Sequence, residues 1–160
     1  MDNLKKITSQ FPRLRNEAES ILRDNTWDGS YTVPSGNLYP YQWNWDSGFV
    51  ALGFAHFDKQ RAFKELETLF KGQWENGMLP HIIFHSKKRE GYFPGPNYWQ
   101  SSSVARANKA VETSGITQPP VHAFIIERIL KMHPDDQEVK DFVKAFLPKL
   151  FKLHQYYYEH

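Results

Sequence analysis

The sequence predicts an all-α fold built from helical hairpins. Apolar residues recur at helical spacing in several segments, whereas the strict alternation of a half-buried strand is absent. Gly and Pro are concentrated in two long stretches between those segments. With 160 residues, 40% of them hydrophobic and 24% charged, the chain can form one globular unit with its own core.

A first helix is predicted over residues 12–25, "PRLRNEAESILRDN". Pro12 suits the first turn of a helix, and one face carries Leu14, Ala18, Ile21 and Leu22. The loop that follows, residues 26–45, is rich in Gly, Pro, Ser and aromatic residues.

The first hairpin is predicted from two adjoining segments of different character. Residues 47–57 are apolar on nearly all sides, which is typical of a buried helix. The next segment, "KQRAFKELETLFKG", is amphipathic, which is typical of an outer helix that covers a buried one.

A second long loop and a second hairpin complete the predicted order. Residues 76–103 are interrupted by Gly and Pro throughout, with one short extended piece at 81–84. Helices are then predicted over 119–133 and 135–158, and Pro148 is expected to kink or split the second of them.

Charge and composition exclude several classes of function. The formal net charge is +2 and the basic residues are scattered, apart from "SKKRE" at 86–90, which we interpret as a solvated loop. Nucleic acid is therefore not an expected partner. The absence of cysteine excludes disulfides, and no apolar run has the length of a signal peptide or a membrane span, so we expect a cytoplasmic protein without membrane contact.

The most unusual segment is "LYPYQWNWDSGF", residues 38–49. Tyr39, Trp43, Trp45 and Asp46 could belong to a core, or they could form a surface for a hydroxyl-rich ring, since a carboxylate accepts two sugar hydroxyls and an indole matches the C–H face of a pyranose. Asp46 also stands where a helix N-cap is predicted. The two roles of Asp46 can coexist.

A second junction between a loop and an apolar helix lies in "TSGITQPP", residues 113–120. Pro119 favours an extended conformation for Gln118, which would present its amide beyond the helix start. A capped helix start without any binding role is the simpler interpretation. In an antiparallel helical array, however, Gln118 and Asp46 would line the same rim.

Other chemistry finds little support in the sequence. His81 and His85 have a metal-ligand spacing for a helix, but "PHIIFH" favours an extended segment that separates them, so no metal is expected. No nucleotide-binding or nucleophile motif occurs, and no cofactor is expected. Tyr92 lies in an aromatic loop that could close over a ligand or fold onto its own rings.

Three motifs carry a family resemblance: "YPYQWNWDSGF", "QWENGMLPHIIFH" and "TSGITQPPVHA". In this order they resemble the N-terminal part of the catalytic domain of family 63 glycoside hydrolases of the mannosylglycerate and glucosylglycerate hydrolase type. The resemblance implies a six-hairpin (α/α)6 barrel of twelve helices and an inverting α-glycosidase reaction.

The resemblance also implies roles for individual residues. Tyr39, Trp43, Trp45 and Asp46 correspond to residues that hold the sugar, Gln118 to a contact with the polar aglycone, and Tyr92 to the loop that covers the substrate. The family's acid and base correspond to positions downstream of His160, so no catalytic residue is expected in this chain.

The chain is therefore expected to be a fragment with about five of twelve helices, to be inactive alone, and to self-associate through open barrel edges, including residues 156–158. The alternative function is a non-catalytic carbohydrate-binding or helical interaction protein.

Overall fold

Helices dominate a computed structural model that describes residues 10–85 and 91–160. The predicted solvated loop at 86–90 lies outside the described residues. The helices are α1 Phe11–Asp24, α2 Asn44–Ala55, α3 Lys59–Phe70, α4 Pro96–Trp99, α5 His122–Met132 and α6 Gln137–Glu159. The short strands are β1 Thr26–Trp27, β2 Tyr31–Thr32, β3 Gln42–Trp43, β4 Ile82–Phe84 and β5 Glu112–Thr113.

Two antiparallel helix pairs form the main body, as the hydrophobic pattern predicts. Helix α2 packs against α3 and α5, α5 packs against α6, and α1 lies on α2. The apolar α2 is thus enclosed on several sides, and Gly48 permits its close approach to α5, since a Cβ there would lie 3.2 Å from Val121 Cγ2. The core between the helices contains residues such as Phe54, Leu66 and Ile125, all at most 1% exposed.

The long loops are not free of strands, so the all-α prediction is too simple. Strands β1 and β2 form an antiparallel hairpin, and β3, β4 and β5 form a second antiparallel sheet in that order. The strands have two or three residues each. That length is too short to produce an alternating pattern, and the fold is mainly helical with two small sheets.

Helix α6 is held against the rest of the molecule by backbone contacts near Pro148. Gln73 Nε2 donates to the carbonyl of Lys149 at 2.9 Å. Gly77, with φ +93°, lies so close to α6 that a Cβ there would overlap the carbonyl group of Lys152. The helix continues through Pro148, so the predicted split does not occur.

The predicted interface at 156–158 is only partly exposed. Tyr158 is 90% exposed. Tyr156 is half-buried beside Trp74 and Met78, and the hydroxyl of Tyr157 donates to the carbonyl of Gln118. Within residues 10–85 and 91–160, none of the helices combines the length and apolarity that a bilayer crossing needs.

Candidate functional site

The start of α2 is fixed by residues distant in sequence. Trp43 pairs with Ile82 in the sheet, and α2 begins at the next residue, Asn44. The backbone N–H of Trp45 donates to Gln118 Oε1 at 3.3 Å. Helix α2 therefore starts three residues earlier than predicted, and Asp46 lies within its first turn. The predicted N-cap role of Asp46 is wrong, because the N-cap position belongs to Trp43, which makes no side-chain cap.

One short segment, 79–81, anchors both parts of the sequence that were predicted to meet at a rim. Asn44 Nδ2 donates to the carbonyls of Leu79 and Pro80 at 2.8 and 3.1 Å. On the other side, Thr117 Oγ1 donates to the same carbonyl of Leu79 at 2.6 Å. The start of α2 and the 116–118 segment are thereby placed side by side.

A pocket of about 440 Å³ opens where these two segments meet. The pocket contains five of the six predicted site residues, and its lining consists of Pro34, Ser35, Tyr39, Trp43, Trp45, Asp46 and Gln118. Tyr39 meets Trp43 edge to face, with ring centroids 5.1 Å apart. Since Tyr39 is 47% and Trp45 is 42% exposed, both offer aromatic surface to a ligand.

Asp46 supplies the negative charge of this pocket. Partial burial raises the pKa of its carboxyl, while interactions with its own backbone amide and with the Trp45 side chain partly counter that rise. The carboxyl also lies in the first turn of α2, where the helix dipole favours a negative charge. An ionised Asp46 can accept hydrogen bonds from two neighbouring hydroxyls of a ligand.

Gln118 closes the opposite side of the pocket. Its Oε1 accepts the Trp45 N–H, and its own carbonyl accepts the Tyr157 hydroxyl. Thr117 Oγ1 lies 3.0 Å from that same hydroxyl, so α6 supports this side of the pocket from outside. The amide oxygen of Gln118 is occupied by this capping bond.

Tyr92 is not among the residues that line the pocket. Its ring packs edge to face on Tyr41 with centroids 5.1 Å apart, in a cluster with Ile82 and Phe84. Burial, together with the neighbouring Tyr41 and Tyr39 hydroxyls, raises the pKa of Tyr92. The sequence allowed this loop either to close over a ligand or to fold onto aromatic rings. In the structure, Tyr92 packs onto other rings.

His81 and His85 flank the extended strand β4, and each has separate partners. His81 packs edge to face on Trp43 at 5.2 Å, and burial lowers its pKa. His85 Nε2 lies 2.8 Å from Gln42 Oε1, and its ring stacks on Tyr31. Among the described residues, no group of three or more His, Cys, Asp or Glu side chains is placed to hold a metal ion.

Two features of the site were missed from the sequence. Pro34 and Ser35 line the pocket from a loop with no distinctive motif. Glu65 lies fully buried behind the pocket, on the helix that was predicted to be amphipathic. A signal for it existed, because Arg61, Glu65 and Thr68 follow one another at helical spacing beside the apolar face of α3.

Comparison with known proteins assigns the fold and motifs to a family. Residues 39–160 match the family model described as the mannosylglycerate hydrolase MGH1-like glycoside hydrolase domain. The chain belongs to this family. This match confirms the resemblance to family 63 glycoside hydrolases that the three sequence motifs indicated.

Individual relatives of this MGH1-like chain support the same conclusion. It is 45% identical to mannosylglycerate hydrolase MGH1 of Selaginella moellendorffii, over 96% of this chain and 30% of the relative. It is 47% identical to glucosylglycerate hydrolase of Mycolicibacterium hassiacum, over 74% of this chain and 26% of the relative.

Solved structures of a relative superpose well on the MGH1-like chain. The mannosylglycerate hydrolase of Thermus thermophilus, in complex with Tris and D-glycerate, matches with a TM-score of 0.80 and 42% identity, over 91% of this chain and 33% of that one. A complex of the same enzyme with glucose matches with a TM-score of 0.71 and 44% identity over the same shares. The chain thus spans about a third of these relatives or less.

Proposed function

We propose that this chain forms the sugar-binding wall of an inverting glycoside hydrolase that acts on a small α-glycoside, such as glucosylglycerate or mannosylglycerate. The observation that carries the proposal is the pocket that unites Tyr39, Trp43, Trp45, Asp46 and Gln118 in a member of the MGH1-like family. The relatives are named for these two substrates, and one of them has been crystallised with glucose and with D-glycerate.

The chemistry of the pocket suits the two halves of such a substrate. The exposed faces of Tyr39 and Trp45 can cover the C–H face of a pyranose, and the Asp46 carboxylate can accept two of its hydroxyls. Gln118 Oε1 is engaged with Trp45 N–H, so the amino group of Gln118 is the part proposed to contact the polar glycerate end.

Hydrolysis with inversion needs a second carboxyl. A general acid and a general base must stand about 6.5–9.5 Å apart across the scissile bond. In the part of the chain that the structure describes, Asp46 is the one carboxylate that lines the pocket. We therefore assign Asp46 to substrate binding, and we propose, as the family resemblance implies, that the acid and the base lie downstream of residue 160.

This assignment fits a larger architecture. The two helix pairs are proposed to be part of an (α/α)6 barrel, to which residues 1–160 contribute one continuous unit of about five of twelve helices. Cytoplasmic residence belongs to the same proposal. Tyr92 is proposed to approach the ligand only through a movement of its loop, because its ring packs on Tyr41.

The proposal is tested by titrating the 15N-labelled chain with D-glucose, D-mannose and D-glycerate while the tryptophan indole resonances are recorded. We expect the signals of Trp43 and Trp45 to shift with sugar, and that of Trp74 to remain, because Trp74 is buried in a separate cluster. Asp46→Asn should strongly reduce the shifts at the same sugar concentration, whereas Asp24→Asn on the exposed face of α1 should leave them unchanged.

A hydrolysis assay completes the test. The chain alone should release no glycerate from glucosylglycerate, while the complete product of the gene that encodes this segment should do so. Turnover by the 160-residue chain that disappears in Asp46→Asn would contradict the binding role of Asp46. Sugar binding without turnover by the complete gene product would favour the non-catalytic carbohydrate-binding alternative.

A further inference from the structure

A buried polar network lies directly behind the pocket wall. Its centre is Glu65 of α3, whose side chain is fully buried. Glu65 Oε1 accepts hydrogen bonds from Gln42 Nε2 at 2.9 Å and from Ser47 Oγ at 2.6 Å. Glu65 Oε2 accepts a hydrogen bond from Arg61 Nη2 at 2.7 Å.

A buried carboxylate is costly unless its oxygens are occupied by donors and its charge is balanced. Arg61 balances the charge of Glu65 and also donates to Thr32 Oγ1 at 2.8 Å. Its guanidinium lies over the Phe54 ring at 4.7 Å. Since replacing a buried ion pair with apolar residues is often neutral or stabilising, stability alone does not account for this arrangement.

The position of the network relative to the pocket suggests another purpose. Gln42 immediately precedes Trp43 in the sequence, and Ser47 immediately follows Asp46. One carboxylate oxygen on α3 therefore holds both ends of the short segment 42–47, which carries three of the pocket residues. No other described side chain bonds to both ends of this segment.

The network also extends away from the pocket. The carbonyl of Glu65 accepts a second hydrogen bond from Gln42 Nε2 at 3.0 Å. Gln42 Oε1 in turn faces His85 Nε2 at 2.8 Å. With both atoms of its amide engaged, Gln42 is held in a single orientation, so the backbone on which Trp43 sits is held as well.

We propose that Glu65 is a positioning residue for the sugar pocket: through Gln42 and Ser47 it sets where Trp43 and Asp46 stand relative to Gln118. Glu65 does not line the pocket and touches no ligand. Its action on affinity rests on the proposed sugar-binding function, whereas its action on the wall itself does not. The two parts can be measured separately.

The test uses Glu65→Gln, which keeps the size of the side chain but replaces one acceptor oxygen with a donor. Without any ligand, we expect the indole signals of Trp43 and Trp45 to move, while that of Trp74 stays. With D-glucose, the dissociation constant should rise at least tenfold. Val139→Ala, a buried change on α6 that removes none of these hydrogen bonds, serves as the control for a general loss of stability.

The outcomes separate the two proposals. If the Trp43 and Trp45 indole signals have the same positions in Glu65→Gln as in Val139→Ala, the positioning role is overturned. If those signals move but neither the wild type nor any variant binds glucose, Glu65 positions the wall and the proposed function fails. Should Glu65→Gln not fold, Ser47→Ala, which removes one bond only, decides the matter: unchanged indole signals in that variant would overturn the inference.

Discussion

Asp46 combines a binding role with a cost in stability. Burial raises the pKa of its carboxyl, so the folded chain binds this proton more tightly than the unfolded chain. Between the unfolded and folded pKa values of Asp46, the stability of the protein therefore falls as pH rises. At neutral pH the ionised carboxyl disfavours folding. Asp46 is the kind of residue that a binding site retains against stability.

Asp46→Asn is therefore expected to separate binding from stability. Its melting temperature at pH 7 should equal or slightly exceed that of the wild type. The dissociation constant for glucose should rise about 10- to 100-fold, because hydrogen bonds to charged groups contribute about 1.5–3 kcal/mol. Calorimetry and an NMR titration measure the two quantities. A variant that lost stability and retained affinity would assign Asp46 to the fold.

His122 is buried with only one of its ring nitrogens satisfied. Its Nε2 lies 3.1 Å from the carbonyl of Asn44, so Nε2 must carry the proton, and the buried Nδ1 has no partner in the described structure. Burial, with a smaller contribution from the nearby His154, lowers the pKa of His122 to about 4. Protonation of Nδ1 would place a positive charge at a buried position that has no hydrogen-bond acceptor in the described structure.

This predicts a pH-dependent stability. Because the folded pKa lies below the unfolded value of about 6.5, the unfolded state takes up the proton first as pH falls. The contribution of each such histidine to the free energy of unfolding is fully present above pH 6.5. It is lost towards pH 4, by about 1.4 kcal/mol per pH unit. His85, with a pKa of about 4, should contribute in the same window.

Urea denaturation at several pH values from 7 to 4 measures this loss, and His122→Gln is the informative variant. In this variant, the free energy of unfolding should change less with pH, by the contribution of one histidine. The contribution of His85 should remain. An unchanged slope would show that His122 is not protonated on unfolding in this range.

At the residue scale, the sequence was a good guide to which side chains would meet, but not to the exact start of α2. Tyr39, Trp43, Trp45, Asp46 and Gln118 do meet in one pocket. The helix start was misplaced because its amide donors are satisfied by Gln118 and by the His81 carbonyl, and local capping rules cannot register partners 37 or more residues away. The helical spacing of Glu65 with Arg61 was visible in the sequence, but its partners Gln42 and Ser47 lie 23 and 18 residues away and were not.

At the scale of elements, Gly77 determines how closely α6 approaches the loop after α3. Its φ of +93° is unfavourable for any side chain, and a Cβ would overlap the backbone of Lys152. Gly77→Ala should therefore lower the free energy of unfolding by about 2–5 kcal/mol, since the backbone conformation costs about 1–2 kcal/mol and overpacking about 1–3 kcal/mol. Chemical denaturation gives the value.

Gly36→Ala is the matched control. A Cβ added at Gly36 would have no heavy atom within 4 Å, and its φ is not positive, so the change should stay within about 1 kcal/mol. Equal effects of the two variants would mean that α6 can move away from Gly77 without cost.

The helices were predictable because each long one has a continuous apolar face, and the strands were not. Strand β4 alone had a visible extended pattern, in "HIIF". Strands β3 and β5 exist because β4 lies between them, which is a tertiary cause. The three-stranded sheet then positions Trp43 and the start of α2. The elements that were hardest to predict therefore position residues of the pocket.

At the scale of the whole molecule, several large apolar side chains remain uncovered. Phe124 on α5 is 56% exposed and Phe151 on α6 is 70% exposed. If these faces are open edges of a barrel, the chain should self-associate, since burying apolar surface contributes about 25 cal/mol per Å² before the costs of association.

Light scattering across a dilution series measures this association. The double change Phe124→Ser and Phe151→Ser should shift the equilibrium towards the monomer. Leu38→Ser, at a loop position that is 72% exposed, should not. A wild-type chain that stays monomeric at every concentration would show that these faces are tolerated in water.

The bond from Trp45 N–H to Gln118 Oε1 spans 73 residues, and this has a consequence for the protein's synthesis. At translation rates of about 5–20 residues per second, Trp45 is made roughly 4–15 s before the residue that caps its helix. During that interval the newly made aromatic segment has neither Gln118 nor the strand β5 beside β4. The nascent chain thus passes several seconds with its aromatic segment 39–46 unfinished, and this segment is then available to factors that shield emerging polypeptides.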